Sequence, residues 1–338
     1  MHDETKYYSA LSKSHLRNEI AILLKYYQWQ EGNFESSIVP IHRSDVRQAM
    51  IIVFNPAAGI RRVGVLWRVL DVLVANGIRV ELAETHRPGH AEALAREAVG
   101  RGASMVVAAG GDGTIAEVAN GLLGSSARLG VIPLGTANVM AHELALPFEP
   151  RAVAAALAFG RTRPLWPGVA RNAKGARLFV QMLGVGFDAQ VVHRLPVLLK
   201  RALGRSAYAV QTLRELALYR FAPVKLRLDG EETQAASVIV TKGRLYGGRF
   251  LLAPAACAGK RGFSVVLFDH SGIAPALLYG AALPFDLLAR APGVRHVRAE
   301  RVEFSGITSL PAQADGDAAG WTPISVTDAP AAIPVVVA

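Results

Sequence analysis

The sequence of 338 residues contains a single cysteine, Cys257. One thiol excludes an intrachain disulfide framework and any metal site built from several cysteines. Long hydrophobic runs are also absent, because the longest one, residues 273–285, is broken by Pro275, Gly280 and Pro284. It falls short of the roughly 20 apolar residues that a membrane-spanning helix needs. The first residues do not show a basic start followed by an apolar run and a small-residue cleavage site. We therefore expect a cytoplasmic protein without a transmembrane segment.

Acidic residues are outnumbered, with 27 Asp and Glu against 37 Lys and Arg, which gives a net charge of +10. Such a surface favours an anionic partner, either nucleic acid or a negatively charged membrane. The interleaved basic and aromatic residues of a single-strand binder are lacking. We therefore expect peripheral association with an anionic membrane and no nucleic-acid partner. Hydrophobic residues make up 51% of the chain, enough for a full core, and the length indicates two domains or one large one.

Residues 1–47 stand apart as an N-terminal extension. Their apolar residues recur at helical spacing, which predicts one amphipathic helix: Leu16, Ile20, Leu23, Leu24 and Tyr27. Such a helix most often packs against a protein core, and a membrane-surface anchor is the alternative interpretation.

The most informative stretch is residues 105–123. A short apolar run at 105–109 predicts a buried strand, and three glycines follow within four positions: Gly110, Gly111 and Gly113. A helical pattern comes next, and Thr114 with Glu117 fits a capping box that would start the helix at Thr114. A strand, a glycine turn and a helix N-terminus together form an anion site of free N–H groups.

Asp112 lies in the middle of this turn. A carboxylate there would repel a phosphate unless a divalent cation lies between them, so the pattern predicts a nucleotide-phosphate site completed by Mg²⁺. No Lys-Ser/Thr pair follows the glycines, and Ala116 stands where a dinucleotide fingerprint has its third glycine, so neither of those motifs applies. A tight turn without a ligand remains the alternative.

The Gly-Gly-Asp-Gly-Thr turn, with an acidic residue and Asn-Gly after it, resembles the diacylglycerol kinase catalytic family, which includes bacterial lipid kinases and sphingosine kinases. NAD kinases and phosphofructokinases carry a related element. Further matching segments occur in order along the chain, at 55–59, 85–91, 133–138, 184–189 and 246–248. The resemblance implies that ATP contacts Asn55, Thr85, Gly110, Gly111, Asp112, Gly113, Thr114, Glu117 and Thr136, and that Asp112 binds the catalytic Mg²⁺.

The strand and helix patterns divide the rest of the chain. Strands at 50–54, 79–83, 105–109 and 129–133 alternate with helices up to residue 160, which predicts an α/β nucleotide-binding domain over 48–162. The segment 163–330 shows shorter strand patterns, and Asp229-Gly230 is a strong hairpin signal. We predict a mostly antiparallel β-sandwich there, with a helical insert near 195–220. Its predicted strands are 178–182, 224–228, 237–240, 263–268, 297–304 and 324–326.

Asp315 is the candidate catalytic base, because Asp315-Gly316-Asp317 resembles the late Asp-Gly-Glu motif of the family, whose first Asp has that role. Asp317 replaces the usual Glu with a shorter side chain. From the residues alone an Asp-Gly pair is more often a turn, and Asp229-Gly230-Glu231 is a second, more literal match. Relatives commonly carry an acidic residue for a structural metal where this chain has 259–262, Gly-Lys-Arg-Gly, so we predict no second metal there.

We therefore expect an ATP- and Mg²⁺-dependent lipid kinase of phospholipid metabolism, with a two-domain fold similar to NAD kinase and diacylglycerol kinase. The alternatives are an NAD kinase-type enzyme and a non-catalytic regulator that binds nucleotide or lipid. The sequence leaves the lipid undetermined among diacylglycerol, a sphingoid base, ceramide and other glycerolipids. It also leaves the oligomeric state open, with a homodimer as one option.

Overall fold

The computed structural model describes residues 49–58, 62–196, 206–306 and 308–338, with side chains omitted at 206–209. The described part of Gln48–Ala338 forms one compact unit. The amphipathic helix predicted within residues 1–47 lies outside the described residues, as does the part of the predicted helical insert at 197–205.

Eight α-helices are described: α1 Val63–Ala75, α2 His90–Gly100, α3 Asp112–Leu122, α4 Val139–Glu143, α5 Pro150–Phe159, α6 Phe187–Arg194, α7 Ser206–Leu218 and α8 Ile273–Ala282. The first ten strands are β1 Met50–Phe54, β2 Val80–Glu84, β3 Met105–Gly110, β4 Arg128–Pro133, β5 Arg161–Leu165, β6 Gly168–Asn172, β7 Gly175–Phe179, β8 Met182–Val185, β9 Val224–Leu228 and β10 Glu231–Ala235. The remaining strands are β11 Ser237–Thr241, β12 Leu245–Tyr246, β13 Phe250–Leu251, β14 Phe263–Phe268, β15 Val294–Ala299, β16 Val302–Ser305, β17 Pro311–Ala314, β18 Asp317–Trp321, β19 Ile324–Asp328 and β20 Ile333–Val337.

The first sheet has the strand order β2-β1-β3-β4-β20-β5. Its first four strands are parallel and connected through helices, and β1 and β3 are buried along their whole length, as expected when helices cover both faces. This confirms the predicted α/β arrangement. The last strand, β20, returns to this sheet and pairs with β4 and β5. Because β1–β4 are parallel, the loops that follow them meet at one edge of the sheet.

Two more six-stranded sheets are antiparallel and enclose a common apolar core. Their orders are β10-β9-β16-β19-β6-β7 and β15-β14-β11-β8-β17-β18, here called the second and third sheets. Alternate residues of β9 are buried and exposed, which is the pattern of a sheet with one face in the core. The predicted sandwich is confirmed. The predicted hairpin at Asp229-Gly230 is also confirmed, with φ of 50° and 98° in the turn.

Two predicted strands were wrong as single elements. The run 178–182 is divided between β7 and β8, and the run 297–304 between β15 and β16. In both cases the chain leaves one sheet of the sandwich and enters the other, so a continuous apolar run does not correspond to one strand. The backbone N–H groups at each crossing lose their strand partners and need other acceptors.

The outer face of the third sheet is covered by α8 and two short 3₁₀ turns, Leu283–Phe285 and Leu288–Arg290. The buried side of α8 packs Tyr279 against Phe268 of β14. α7 lies beside α8. No helix within the described ranges has the length and apolar character needed to cross a membrane.

Candidate active site

The glycine turn after β3 is locked to the loop after β4. A Cβ atom on Gly110 would lie 2.5 Å from Thr114 Oγ1, and one on Gly135 would lie 2.5 Å from the Cα atom of Gly111. The N–H groups of Leu134 and Gly135 both donate to the Gly110 carbonyl, at 2.9 and 3.1 Å. Side chains are therefore excluded by close backbone contact, and the two loops form one surface at the carboxyl ends of neighbouring strands, where α/β sheets bind ligands.

The first turn of α3 contains Asp112, whose Oδ1 accepts the N–H of Met140 at 2.9 Å. This hydrogen bond joins α3 to the first turn of α4. Burial raises the pKa of Asp112, while hydrogen bonds from the backbone of Met140 and Val139 and the charge of His142 act in the opposite direction. The carboxylate is thus held in one orientation beside the glycine turn.

Asn55 and Thr114 meet at the same edge. The Asn55 amide donates to Thr114 Oγ1 at 3.0 Å, and its Oδ1 accepts the N–H of Ala57 at 3.0 Å. Thr85 is buried at the end of β2, where its N–H donates to the Phe54 carbonyl at 2.8 Å. Thr136 is exposed in the loop after β4. Strand order β2-β1-β3-β4 therefore brings the predicted nucleotide residues side by side.

The predicted capping box was wrong. α3 begins at Asp112 after Gly111, so Thr114 lies inside the helix and its hydroxyl is bound by Asn55. Glu117 points to another element: its two carboxylate oxygens accept the N–H groups of Gly89 and Ala91, at 2.9 and 3.0 Å, at the start of α2. Glu117 thereby fixes the α2 N-terminus, and its predicted contact with ATP stays a prediction.

Asp315 projects from the turn between β17 and β18, with φ of 49°. Its carboxylate accepts three backbone N–H groups, from Val180 at 2.7 Å and from Gln181 and Met182 at 2.9 Å each. These are the groups left without strand partners where the chain crosses between the two sandwich sheets. Burial, with the charge of Asp112 as the smallest contribution, raises the pKa of Asp315 to about 6 against the three hydrogen bonds. The carboxylates of Asp112 and Asp315 therefore lie close enough to influence each other.

Asp317 belongs to the same group of residues. Its Oδ2 lies 3.6 Å from the position of a Cβ atom on Gly113, and its carboxylate lies 3.5 Å from an Nη atom of Arg177. The turn between β17 and β18 thus places Asp315 and Asp317 against the N-terminus of α3. The sandwich and the α/β sheet meet at this point.

Sequence reasoning missed the network that supports this turn. Gln313 accepts the N–H of Gly316 through Oε1 at 2.9 Å and donates through Nε2 to Asp188 Oδ2 at 2.8 Å. The hydroxyl of Tyr246 donates to the other oxygen of Asp188. Burial raises the pKa of Asp188, and these two hydrogen bonds oppose that shift. The segments 184–189 and 246–248, which the sequence marked without a role, converge on the turn that bears Asp315 through this network.

Gln313→Glu should lower kcat about tenfold. The new carboxylate at position 313 would face that of Asp188, so the turn would lose the hydrogen bond that fixes its geometry, and tenfold corresponds to the loss of about one hydrogen bond to a charged group. The double variant Gln313→Glu/Asp188→Asn exchanges donor and acceptor and should restore most of kcat. Lipid phosphorylation at saturating ATP measures both. Equal loss in the single and double variants would show that Gln313 does not act through Asp188.

Asn138 lies directly before α4 in the left-handed region, with φ of 48°. Its side chain does not cap α4, and its Oδ1 atom is buried without a hydrogen-bond partner in the described part of the chain. That oxygen lies 2.8 Å from where a Cβ atom on Gly135 would stand. An unsatisfied oxygen beside the glycine turn and two mutually repelling carboxylates suit a bound cation. Within the described ranges, no three His, Cys, Asp or Glu side chains cluster as a preformed metal site.

An α/β sheet with a glycine-rich turn of the kind that binds phosphate, joined to an antiparallel sandwich, defines the fold type of the NAD kinases and diacylglycerol kinases. The family model of the diacylglycerol kinase catalytic domain matches residues 49–169, and that of the YegS C-terminal NAD kinase beta sandwich-like domain matches residues 181–337. The chain belongs to the diacylglycerol kinase catalytic-domain family of lipid kinases, which confirms the resemblance in its sequence.

Individual relatives agree with this assignment. The YegS-like lipid kinase of Pseudomonas putida is 32% identical over 246 residues, which cover 72% of this chain and 80% of that protein. The diacylglycerol kinase of Bacillus subtilis (strain 168) is 29% identical over 279 residues, covering 80% of this chain and 90% of that protein. The crystal structure of a candidate diacylglycerol kinase from Bacillus anthracis (strain Sterne) superposes with a TM-score of 0.71 at 21% identity, covering 88% of this chain and 99% of that chain. That last likeness shows the fold.

Proposed function

We propose that this protein is an ATP- and Mg²⁺-dependent kinase that transfers the γ-phosphate to the hydroxyl of a diacylglycerol-like or sphingoid lipid. The region 48–162 binds ATP, and the sandwich region 163–330 presents the lipid. One observation carries the proposal: the β17–β18 turn that bears Asp315 meets the first turn of α3 that bears Asp112, where Asp317 Oδ2 lies 3.6 Å from the position of a Cβ atom on Gly113. A phosphate donor and an acceptor hydroxyl would meet between the carboxylates of Asp112 and Asp315.

The glycine turn accounts for phosphate binding. Gly110, Gly111 and Gly113 lead into the first turn of α3, where the first N–H groups of a helix lack intrahelical partners and the helix dipole favours an anion. Asn55, Thr85, Thr114 and Thr136 supply polar groups along the same edge, with Glu117 behind them. Asp112 would hold Mg²⁺ together with phosphate oxygens, since this ion prefers one or two carboxylates plus phosphate. When bound, Mg²⁺ neutralises charge that develops on the transferring phosphate.

Asp315 would accept the proton of the lipid hydroxyl. With a pKa of about 6 it is ionised at neutral pH, yet it is a better base than an ordinary aspartate of pKa near 3.9. In a loose transition state the bond to the leaving group is largely broken before the hydroxyl attacks, so little proton removal is needed early. The main task of Asp315 is therefore to orient the hydroxyl. The three N–H groups on its carboxylate fix that orientation.

The raised pKa of Asp315 predicts the pH dependence of activity. Because the base must be ionised, kcat/KM for the lipid should be level above pH 7 and fall by about tenfold per pH unit below the pKa of Asp315, which is about 6 without bound Mg²⁺ and lower once a cation neutralises Asp112. Initial rates at saturating Mg²⁺ and ATP measure this profile. A profile that stays level down to pH 5 would show that Asp315 does not titrate as a base in this range.

The proposal is tested by ATP-dependent phosphorylation of diacylglycerol, sphingosine, ceramide, phosphatidylglycerol and NAD⁺ in mixed micelles, with and without Mg²⁺. We expect one lipid to be phosphorylated only with Mg²⁺, and this activity to be lost in Asp112→Ala. Asp71→Ala, on the exposed face of α1, is the matched control and should retain full activity. Phosphorylation of NAD⁺ alone would overturn the proposal in favour of an NAD kinase. ATP binding without turnover of any substrate would favour a regulator.

A further inference from the structure

The helix α7 has polar residues buried and large apolar residues exposed, the reverse of an ordinary surface helix. Its polar residues Gln211 and Glu215 are only 3% and 4% exposed, and they hydrogen-bond to each other at 2.8 Å. Gln190 of α6 donates to the second oxygen of Glu215 at 3.2 Å. Leu213 (64%) and Val210 are exposed on the side away from these two residues, and Leu218 at the C-terminal end of α7 is exposed as well. A helix at a water surface normally has the reverse arrangement, so this apolar face is built to meet something other than water.

The neighbouring α8 and the turn after it are apolar on their outer side as well. Exposed large apolar residues here are Ile273, Leu277, Leu278, Phe285 and Leu287, and Phe285 is 74% exposed. α7 contacts α8, so the two helices lie side by side. We call these eight residues, three on α7 and five on 273–287, the apolar patch. Soluble monomers rarely expose so many large apolar side chains together unless they bind a partner there.

Positive charge surrounds the apolar patch. Arg214 is exposed on α7 between Val210 and Leu218, Arg290 ends the second 3₁₀ turn, and Arg249 precedes β13, which contacts the first 3₁₀ turn. Of the nearby carboxylates, Asp269 is paired with Arg295 at 2.6 Å, and Asp286 accepts the N–H of Leu251 at 3.2 Å, which leaves the three arginines in excess. An apolar surface bordered by arginines is the pattern of proteins that insert into the interface of an anionic bilayer.

We propose that the apolar patch docks on an anionic lipid bilayer, with its apolar side chains among the acyl chains and its arginines at the headgroups. A second copy of the chain is a poorer occupant, since pairing through the same patch would bring like-charged arginines together. The inference rests on the proposed lipid kinase function, because a substrate held in a bilayer requires the enzyme to reach that surface. The net charge of +10 acts in the same direction.

The test is co-sedimentation of the full chain with vesicles of phosphatidylcholine alone or mixed with phosphatidylglycerol. We expect binding only to the mixed vesicles. It should weaken by at least about tenfold in Phe285→Ser/Leu287→Ser and in Leu213→Ser/Leu218→Ser, since each withdraws two large apolar side chains from the interface. Phe159→Ser is the matched control, because Phe159 is 80% exposed on α5, outside the apolar patch, and it should bind as wild type does.

Each result decides between docking and its rivals. Variants that bind the mixed vesicles as tightly as wild type would overturn the proposal. A wild-type dimer that both serine variants break, without vesicle binding, would assign the patch to a second copy. Phosphorylation of a short-chain, water-soluble diacylglycerol should be unchanged in the serine variants. If the mixed vesicles are bound through the patch yet no substrate is phosphorylated, docking stands and the proposed function fails.

Discussion

Asp315→Asn should lower kcat for lipid phosphorylation by about 10²–10⁴-fold, the usual contribution of a general base. Asparagine tolerates the positive φ of this turn, so the backbone can stay as it is. Its amide cannot take a proton from the substrate, and its NH₂ group cannot accept the N–H groups of the β7–β8 crossing that the carboxylate binds. ATP binding should remain near the wild-type level, because the glycine turn is untouched.

The chain supplies a matched control for this substitution. Asp229 also precedes a glycine, has φ of 50°, and accepts backbone N–H groups, from Glu300 and Arg301, where the chain crosses between the same two sheets. Asp229→Asn should therefore cost stability in the same way while activity stays within about twofold of wild type. If both variants lose activity and stability alike, Asp315 is a structural turn residue and the assignment of the base is wrong.

Lys242→Met should destabilise the protein by about 3–5 kcal/mol, the typical result of removing one partner from a buried ion pair. The Lys242 side chain is 0% exposed, and its ammonium donates to Asp328 Oδ1 at 2.7 Å and to the carbonyls of Lys260 and Gly262 at 3.0 and 2.8 Å. Asp328 Oδ2 also accepts the N–H of Gly262 at 2.7 Å. The ammonium thereby ties the 257–262 loop to the end of β19, and without it the buried Asp328 keeps only the Gly262 N–H and the more distant guanidinium of Arg261, at 3.9 Å. Urea unfolding measures the loss.

The double variant Lys242→Met/Asp328→Leu provides the control. It removes both charges, so it should recover a large part of the stability lost in the single variant. A single variant that unfolds within about 1 kcal/mol of wild type would show that the ion pair is not a principal support of this loop. In the intact enzyme, burial lowers the pKa of Lys242 and the interaction with Asp328 opposes the shift.

The sequence predicted which loops meet at one edge of the first sheet, because these loops follow directly after parallel strands. Asn55 comes after β1, Thr85 after β2 and the glycine turn after β3, so local patterns fixed which loops face one another. The sandwich was predictable for a similar reason, since alternation along β9 and the Asp229-Gly230 turn depend only on neighbouring residues.

Contacts between distant segments were beyond the sequence patterns. Thr114 and Glu117 fit a local capping box in the sequence. In the folded protein the Thr114 hydroxyl instead accepts a hydrogen bond from Asn55, and the Glu117 carboxylate accepts N–H groups at the start of α2. The apolar runs at 178–182 and 297–304 could not reveal where a strand passes from one sheet to the other. Asp229 and Asp315 carry the same turn signature, and only the tertiary fold places Asp315, and not Asp229, near Asp112.

Asp112 and Asp315 are proposed to share one site, and a pH titration of the Asp315 carboxyl group tests this without relying on activity. The carboxyl ¹³C shift of Asp315, assigned with Asp315→Asn, can be followed against pH in wild type and in Asp112→Asn. Asp315 should titrate near pH 6 in wild type and at a lower pH in Asp112→Asn, because the neighbouring negative charge is gone. An unchanged titration in the variant would contradict the account, since the two carboxylates would then not face each other across one active site.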